Sequence, residues 1–241
     1  MKRLAIFDLD YTLTRRGTWG RFCAMCLRDR KHLWPEFVAR AAWTQLRYRL
    51  GQVPRIAVKT AMMKVCMTGR TRDELRGLAE EFAEAEVRGG LREQARGVLE
   101  AHREAGDTLM IASAAVDLLV EPIARRLAVV DWVATEMAWC GQGRLLGHFG
   151  SPNCYGAEKK RRVVEFLRDT GRELKQSDTY VTMYSDSCAD MDLLTFADDG
   201  VAVKQCRKLG RLAPSLGLRM EDWNQPAVGG LPALATEGPC P

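Results

Sequence analysis

A chain of 241 residues with 46% hydrophobic and 28% charged residues is ordinary for a folded globular protein, which excludes global disorder. The length accommodates one α/β domain, or one domain carrying an insertion, and no apolar run approaches the roughly 18 residues that a membrane span needs. The net charge of +5 is unevenly spread: residues 15–75 hold 14 Lys and Arg against 4 Asp and Glu, a balance of +10 that leaves residues 76–241 at −5. Such a basic segment suggests an anionic partner (a phosphorylated metabolite, a phospholipid headgroup or nucleic acid) or a solvated helical surface.

Met1-Lys2-Arg3 leads directly into the apolar strand Leu4-Ala5-Ile6-Phe7, without a signal-peptide core, so a cytoplasmic location is expected. The strand runs out at Asp8-Leu9-Asp10-Tyr11-Thr12, and ligands of open α/β sheets bind at such carboxyl ends. On an extended chain Asp8 and Asp10 face the same way, and paired carboxylates repel unless they share a cation or a proton. A solvated turn is the other reading of this pair.

Residues 18–88 read as mostly helical. Val38, Ala42, Leu46 and Leu50 recur every four residues, and Trp34, Phe37 and Ala41 widen the stripe, which predicts a helix ended by Gly51-Gln52-Val53-Pro54. Another helix begins near Ile56, and the capping-box pair Thr71-x-x-Glu74 opens one that runs to about Glu86. Gly89-Gly90 breaks the run. Cys23 and Cys26 lie within a helical stretch and lack a second ligand pair, so they read as small apolar residues. The eight cysteines show no disulfide framework and suit a reducing compartment.

From residue 91 helices and strands alternate, which argues for a parallel sheet covered by helices, with the preceding helical block inserted between its first two strands. Leu91–Ala105 is predicted helical, Thr108–Ala112 a strand and Val116–Leu127 a helix, placing Ser113 between strand and helix as a cap or a phosphate contact. Trp132–Cys140 and Arg144–Phe149 read as strands, and Ala157–Asp169 as a helix with Lys159 and Lys160 near its start. A cation at that position hints at a bound anion, although a solvated lysine is the alternative. Thr179–Tyr184 is a strand ending at Ser185-Asp186-Ser187-Cys188-Ala189-Asp190-Met191-Asp192, a carboxylate cluster suited to Mg²⁺. Ala189–Phe196 is predicted helical and Val201–Val203 a strand.

The order D-x-D-x-T, Ser, Lys, D-S-x-x-D resembles the haloacid dehalogenase-like (HAD) superfamily from Arg3 to about Trp223. The phosphoserine-phosphatase-like branch is the nearest match, on Ile111-Ala112-Ser113-Ala114-Ala115, Leu119-Val120-Glu121-Pro122-Ile123-Ala124, Cys154-Tyr155-Gly156-Ala157-Glu158-Lys159 and Tyr184-Ser185-Asp186-Ser187. The resemblance implies a Rossmann-like parallel sheet with helices on both faces, formed by residues 1–16 and 90–223. It also implies a helical cap over 17–89, which leaves 224–241 as a loosely ordered tail. It further implies Mg²⁺-dependent hydrolysis of a small phosphomonoester. Asp8 would be the nucleophile and Asp10 the acid and base. Asp8, Asp186 and the Asp10 backbone carbonyl would hold the metal. Thr12, Ser113 and Lys159 would grip the phosphate, and Asp190 would support the metal shell or orient Lys159. The family pattern selects Lys159 over Lys160, and Asp192 is left as surface.

Phosphoserine phosphatases carry a glutamate nine residues after the nucleophile, where this chain has Gly17, which argues against phosphoserine. Tyr11, where many relatives have a smaller residue, adds bulk near the entrance or packs within its loop. The basic insert suits a second anionic group on the substrate. Arg40, Trp43 and Arg47 share one stripe that could meet an anionic membrane; a Trp packed within the cap beside two solvated arginines is the plainer reading. The insert also loosely resembles that of bacterial phosphatidylglycerophosphate phosphatases. Two alternatives to the small-ester phosphatase therefore stand, a peripheral phospholipid phosphatase and a non-catalytic phospholigand-binding protein. Only the basic half of a nucleic-acid-binding surface is present.

Overall fold

The computed structural model describes residues 2–172, 179–203 and 206–224. Its centre is a parallel sheet ordered β3-β2-β1-β6-β7-β8. The strands are β1 (Lys2–Phe7), β2 (Thr108–Val116), β3 (Asp131–Thr135), β6 (Thr179–Ser185), β7 (Asp199–Val203) and β8 (Arg219–Glu221). Alternation along β1 divides the core in two. Ala5 and Phe7 join Leu109, Ile111 and Val201 under α5 (Glu93–Glu104) and α6 (Asp117–Arg126). Leu4 and Ile6 join Met110, Val181 and Met183 under α7 (Ala157–Asp169), α8 (Met191–Leu194) and α9 (Arg207–Leu212). Helices thus cover both faces of a parallel sheet, as the α/β reading anticipates.

Between β1 and α5 lie four helices: α1 (Thr18–Cys26), α2 (Trp34–Arg49), α3 (Arg55–Cys66) and α4 (Arg72–Ala85). Their common core includes Phe22, Cys23, Cys26, Phe37, Met63 and Phe82, and it continues onto Leu118 and Leu119 of α6. Burial pushes the thiols of Cys23 and Cys26 upward, as befits packed residues. The capping box is formed as expected: Thr71 N–H donates to Glu74 Oε2 at 2.7 Å, and Glu74 N–H to Thr71 Oγ1 at 3.2 Å. Two backbone bonds zip the entry and exit of this insert together, Arg15 N–H to Gly90 O and Arg92 N–H to Leu13 O, each at 2.9 Å.

Several sequence expectations are refined or corrected. The stripe Val38, Ala42, Leu46 and Leu50 forms the expected helix, and its side, on which the sequence is silent, faces outward. Val38 is 55% exposed, Leu46 48% and Leu50 63%, and of the residues that widen it only Phe37 is buried. Trp43, at 63% exposure, is not packed within the insert. A four-residue period identifies one face of a helix but not which side is covered; α2 turns Phe37 and Tyr48 inward instead. The expected strand 132–140 splits at Glu136, where β3 leaves the sheet and β4 (Met137–Trp139) pairs with β5 (Leu145–Phe149) in a separate antiparallel hairpin. The expected helix at 189–196 shrinks to a tight turn and α8. The short α9 and β8 carry too little periodicity to read from sequence.

Two strand ends are locked beneath the future site. Phe7 stacks on Tyr184, the rings 4.8 Å apart and 5° from parallel, so the residues preceding Asp8 and Ser185 move as one. His102 donates from Nδ1 to the Asp107 carboxylate at 2.7 Å, which leaves Nε2 to accept the Tyr184 hydroxyl at 2.9 Å. Burial lowers the His102 pKa, consistent with this neutral form. Tyr184→Phe should orphan the buried Nε2 and cost about 1–3 kcal/mol. Thermal unfolding should report a drop of roughly 2–4 °C per kcal/mol for a chain of this size, with kcat little changed because the ring stack remains.

Candidate active site

After Phe7 the chain cannot continue as a strand. Asp8 N–H donates to Tyr184 O at 3.0 Å, and a wide turn closes where Thr14 N–H reaches Leu9 O at 2.9 Å. Tyr11 takes a φ of +66° within this turn, a left-handed conformation that a bulky residue adopts only when its surroundings enforce it. Arg92 helps to enforce it by donating from Nε to the Tyr11 carbonyl at 3.2 Å. The turn brings Thr12 inward, fully buried, where its Oγ1 lies 3.4 Å from Asp8 Oδ2 and 3.2 Å from Asp186 Oδ1 and accepts Asp186 N–H at 3.0 Å. One hydroxyl therefore ties the ends of β1 and β6 together.

Lys159, from the first turn of α7, is almost wholly buried. Its ammonium donates to Asp8 Oδ1 at 2.8 Å and to Asp190 Oδ2 at 2.7 Å, and the latter oxygen also accepts the Ser185 hydroxyl at 2.7 Å. Burial opposes the Lys159 cation, but attraction to Asp190 and Asp8 wins and raises its pKa. Burial pushes Asp8 up to about 7 despite Lys159, and Asp186 up to about 6. Mutual repulsion adds to the effect of burial: Asp8, Asp186 and Asp190 place three carboxylates against one ammonium, a surplus that protons or a cation can offset. Lys160 points elsewhere, its ammonium 4.4 Å from the Phe196 ring centroid.

The donor set suits a hard divalent cation. Every candidate ligand is an oxygen, and Asp190 Oδ1 is buried without a hydrogen-bond partner. Among the described residues no three His, Cys, Asp or Glu side chains converge as a preformed cage. A cation here would rest on Asp8 and Asp186 and take its other positions from backbone, water or substrate oxygens, as Mg²⁺ habitually does.

Asp10 stands apart from this cluster. Its Oδ1 accepts Thr18 N–H at 2.8 Å, at the start of α1, and desolvation raises its pKa. It opens onto a cleft of about 690 Å³ lined by Tyr11, Trp19, Tyr48, Arg16, Arg21 and Arg55, among others, and by Lys59. Lys59 is a residue that sequence reasoning missed. It reaches from α3 to the core, donating to Ala114 O at 2.5 Å and to Asn153 Oδ1 at 2.9 Å, and burial lowers its pKa to about 8. Arg55 makes a parallel link, donating to the Tyr155 hydroxyl at 2.9 Å. Nothing in a single lysine of a basic helix marks it as the one that crosses to the sheet.

Ser113 is placed differently from expectation. β2 runs on to Val116, so Ser113 lies in an irregular strand end and not at a helix start. The physical cause is local: Ser113 Oγ accepts Ala115 N–H at 3.0 Å, which keeps the segment extended until α6 begins at Asp117. Ser113 is buried two residues beyond Ile111, the partner of Phe7 in the sheet register, so it stays at the same sheet edge as Asp8.

The raised carboxylates give a sign to the pH dependence. Asp8 and Asp186 lie above their ordinary value of 3.8, so the folded chain binds more protons than the unfolded chain from about pH 4 to 7. Their contribution to stability is full below pH 3.8 and is lost as pH rises through about 6 to 7. Asp186→Asn removes one of the two groups. In EDTA, its Tm should fall less than that of the unaltered chain between about pH 5 and 7, and at pH 7 Mg²⁺ should raise the Tm of the unaltered chain more than that of the variant.

Comparisons with known proteins agree with this architecture. The family model described as haloacid dehalogenase-like hydrolase matches residues 5–195. The histidinol-phosphatase of Neisseria meningitidis serogroup C is 27% identical over 230 residues, 90% of this chain and 97% of that protein. A crystal structure of a Bordetella pertussis Tohama I protein of unknown function superposes with a TM-score of 0.82 at 27% identity, covering 92% of this chain and 99% of that one. A substrate-bound phosphoserine phosphatase shares the fold, with a TM-score of 0.60 at 15% identity over 88% of this chain and 90% of that one. The chain belongs to the haloacid dehalogenase-like hydrolase family.

Proposed function

We propose that the chain is a phosphatase that hydrolyses a small phosphomonoester through an aspartyl-phosphate on Asp8. The observation that carries this reading is the convergence of Asp8, Thr12, Lys159, Asp186 and Asp190 at the carboxyl ends of β1 and β6. A non-catalytic binding protein has no need of a buried carboxylate with a raised pKa, held by a lysine beside a cleft.

In this mechanism an Asp8 oxygen attacks phosphorus, and the P–O bond to the leaving group breaks as the new one forms. Asp10 donates its proton to the departing alkoxide; its raised pKa keeps a proton within reach. Asp10 then takes a proton from the water that attacks the acyl phosphate, which releases phosphate and restores Asp8. Lys159, steered by Asp190 and Ser185, offers its ammonium to the non-bridging oxygens. Ser113 already accepts one hydrogen bond and so has its own O–H to donate to them. Asp8, Asp186 and the Asp10 backbone carbonyl would hold Mg²⁺, which supplies positive charge that screens a carboxylate's approach to an anionic phosphate.

The cleft supports a leaving group with anionic or acceptor character. Arg16, Arg55 and Lys59 face it, Glu86 partners Arg21 at 2.6 Å, and the buried Trp19 Nε1 lacks an acceptor. A substrate ammonium would meet these cations with no carboxylate at position 17 to receive it. Histidinol phosphate, the substrate class in the Neisseria relative's name, therefore ranks below an acidic ester.

Phosphate release from a panel of esters, with Mg²⁺ or EDTA, tests the reading. Asp8→Asn should lower Mg²⁺-dependent turnover by roughly 10³-fold or more. Unchanged turnover in that variant would remove the aspartyl-phosphate. Lys59→Met should raise KM for esters with a carboxylate or second phosphate about tenfold or more, with a smaller effect on p-nitrophenyl phosphate. Equal effects on all esters would deny Lys59 a part in selectivity.

A further inference from the structure

We infer that the outer face of α2 docks on an anionic phospholipid surface, a binding role that goes beyond the catalytic reading and does not depend on it. Of nine large apolar side chains exposed among the described residues, five belong to this helix and the residue after it: Trp34, Val38, Trp43, Leu46 and Leu50. Val38, Ala42, Leu46 and Leu50 follow Trp34 in steps of roughly 40° around the helix, and Trp43 closes the far side, so together they occupy about half its circumference. Ala39 and Ala42, exposed between them, extend this apolar surface, which Arg49 interrupts near its C-terminal end. The opposite side holds Phe37 in the core and places Tyr48 along the catalytic cleft, which Gln45, at the edge of the apolar arc beside Trp34, also lines.

Charge decides the occupant. Arg47 flanks the apolar face and the exposed Arg49 lies within it, while Glu36 and Arg40 at the same edge pair with each other at 2.7 Å, so the helix presents a surplus of two arginines. A symmetric contact with a second copy would oppose these arginines to their equivalents, and an uncharged partner would leave them without complement. An anionic lipid surface satisfies both features: arginines meet phosphates, and tryptophans sit at the level of the headgroups. At 16 residues α2 spans about 24 Å, too short to cross a bilayer, and no described helix is long and apolar enough to do so. The arrangement is that of a helix lying in the interface plane.

Flotation of the full chain with vesicles tests the inference without reference to activity. Vesicles of phosphatidylcholine mixed with phosphatidylglycerol should carry at least about tenfold more protein than phosphatidylcholine alone, and salt should weaken the binding. The emission of Trp34 and Trp43 should shift to the blue on binding. Because both positions are exposed, Trp43→Glu/Leu46→Glu should fold and hydrolyse a soluble ester as the unaltered chain does, yet stay with the unbound fraction. Three results would overturn the inference: no flotation, equal flotation on both kinds of vesicle, or flotation unaffected by the double substitution. A dimer in sedimentation equilibrium that the double substitution dissociates would assign the face to a second copy instead.

Discussion

Two buried carboxylates, Asp8 and Asp190, share the buried Lys159 ammonium beside a third, half-buried one, Asp186, and the rest of the molecule is arranged around that imbalance. Asp8, Asp186 and Asp190 would drive each other apart in an unsupported loop. They are held because Asp8 and Asp186 end adjacent parallel strands, because Thr12 bridges them, and because Lys159 enters from the first turn of α7. Beneath them the Phe7–Tyr184 stack and the His102–Asp107 pair fix the separation of the strand ends. A site built this way is poised to accept a divalent cation, which offsets the surplus of negative charge and lets an anion approach.

The helical insert supplies what the sheet lacks. The sheet edge has the groups to which the proposed mechanism assigns the reaction, but it has no wall against water and little to recognise a leaving group. Lys59 and Arg55 bring the insert down onto Ala114, Asn153 and Tyr155, so the cleft above Asp10 is walled by both parts of the chain. On the proposed function, exclusion of water and recognition of the ester would depend on the same contacts.

What could be read from sequence was what local chemistry determines. The strand-end motifs of Asp8 and Asp186 announce themselves because paired acids after an apolar run are costly without a purpose, and α7 has a clean apolar period with sharp ends. Ser113 was found for its chemistry but misplaced in its setting, since a hydroxyl that captures Ala115 N–H delays the helix by a few residues. The side of α2 that faces outward was not legible, because periodicity says nothing about which neighbour arrives. Lys59, Arg92 and Glu86 were invisible for a related reason: their roles arise from contacts across 55, 81 and 65 residues of chain, with partners Ala114, Tyr11 and Arg21.

Tyr11 and Gly17 show how such distant dependences constrain change. A Cβ on Gly17 would lie 3.3 Å from both Cε2 and the hydroxyl of Tyr11, so the ring already fills the space a side chain at 17 would enter. Tyr11 is 47% exposed, so its ring has solvent to swing into, at the loss of its place along the cleft. A side chain at 17 therefore has to displace that ring or follow its loss. The two positions are coupled: what one carries sets how much room the cleft leaves the other.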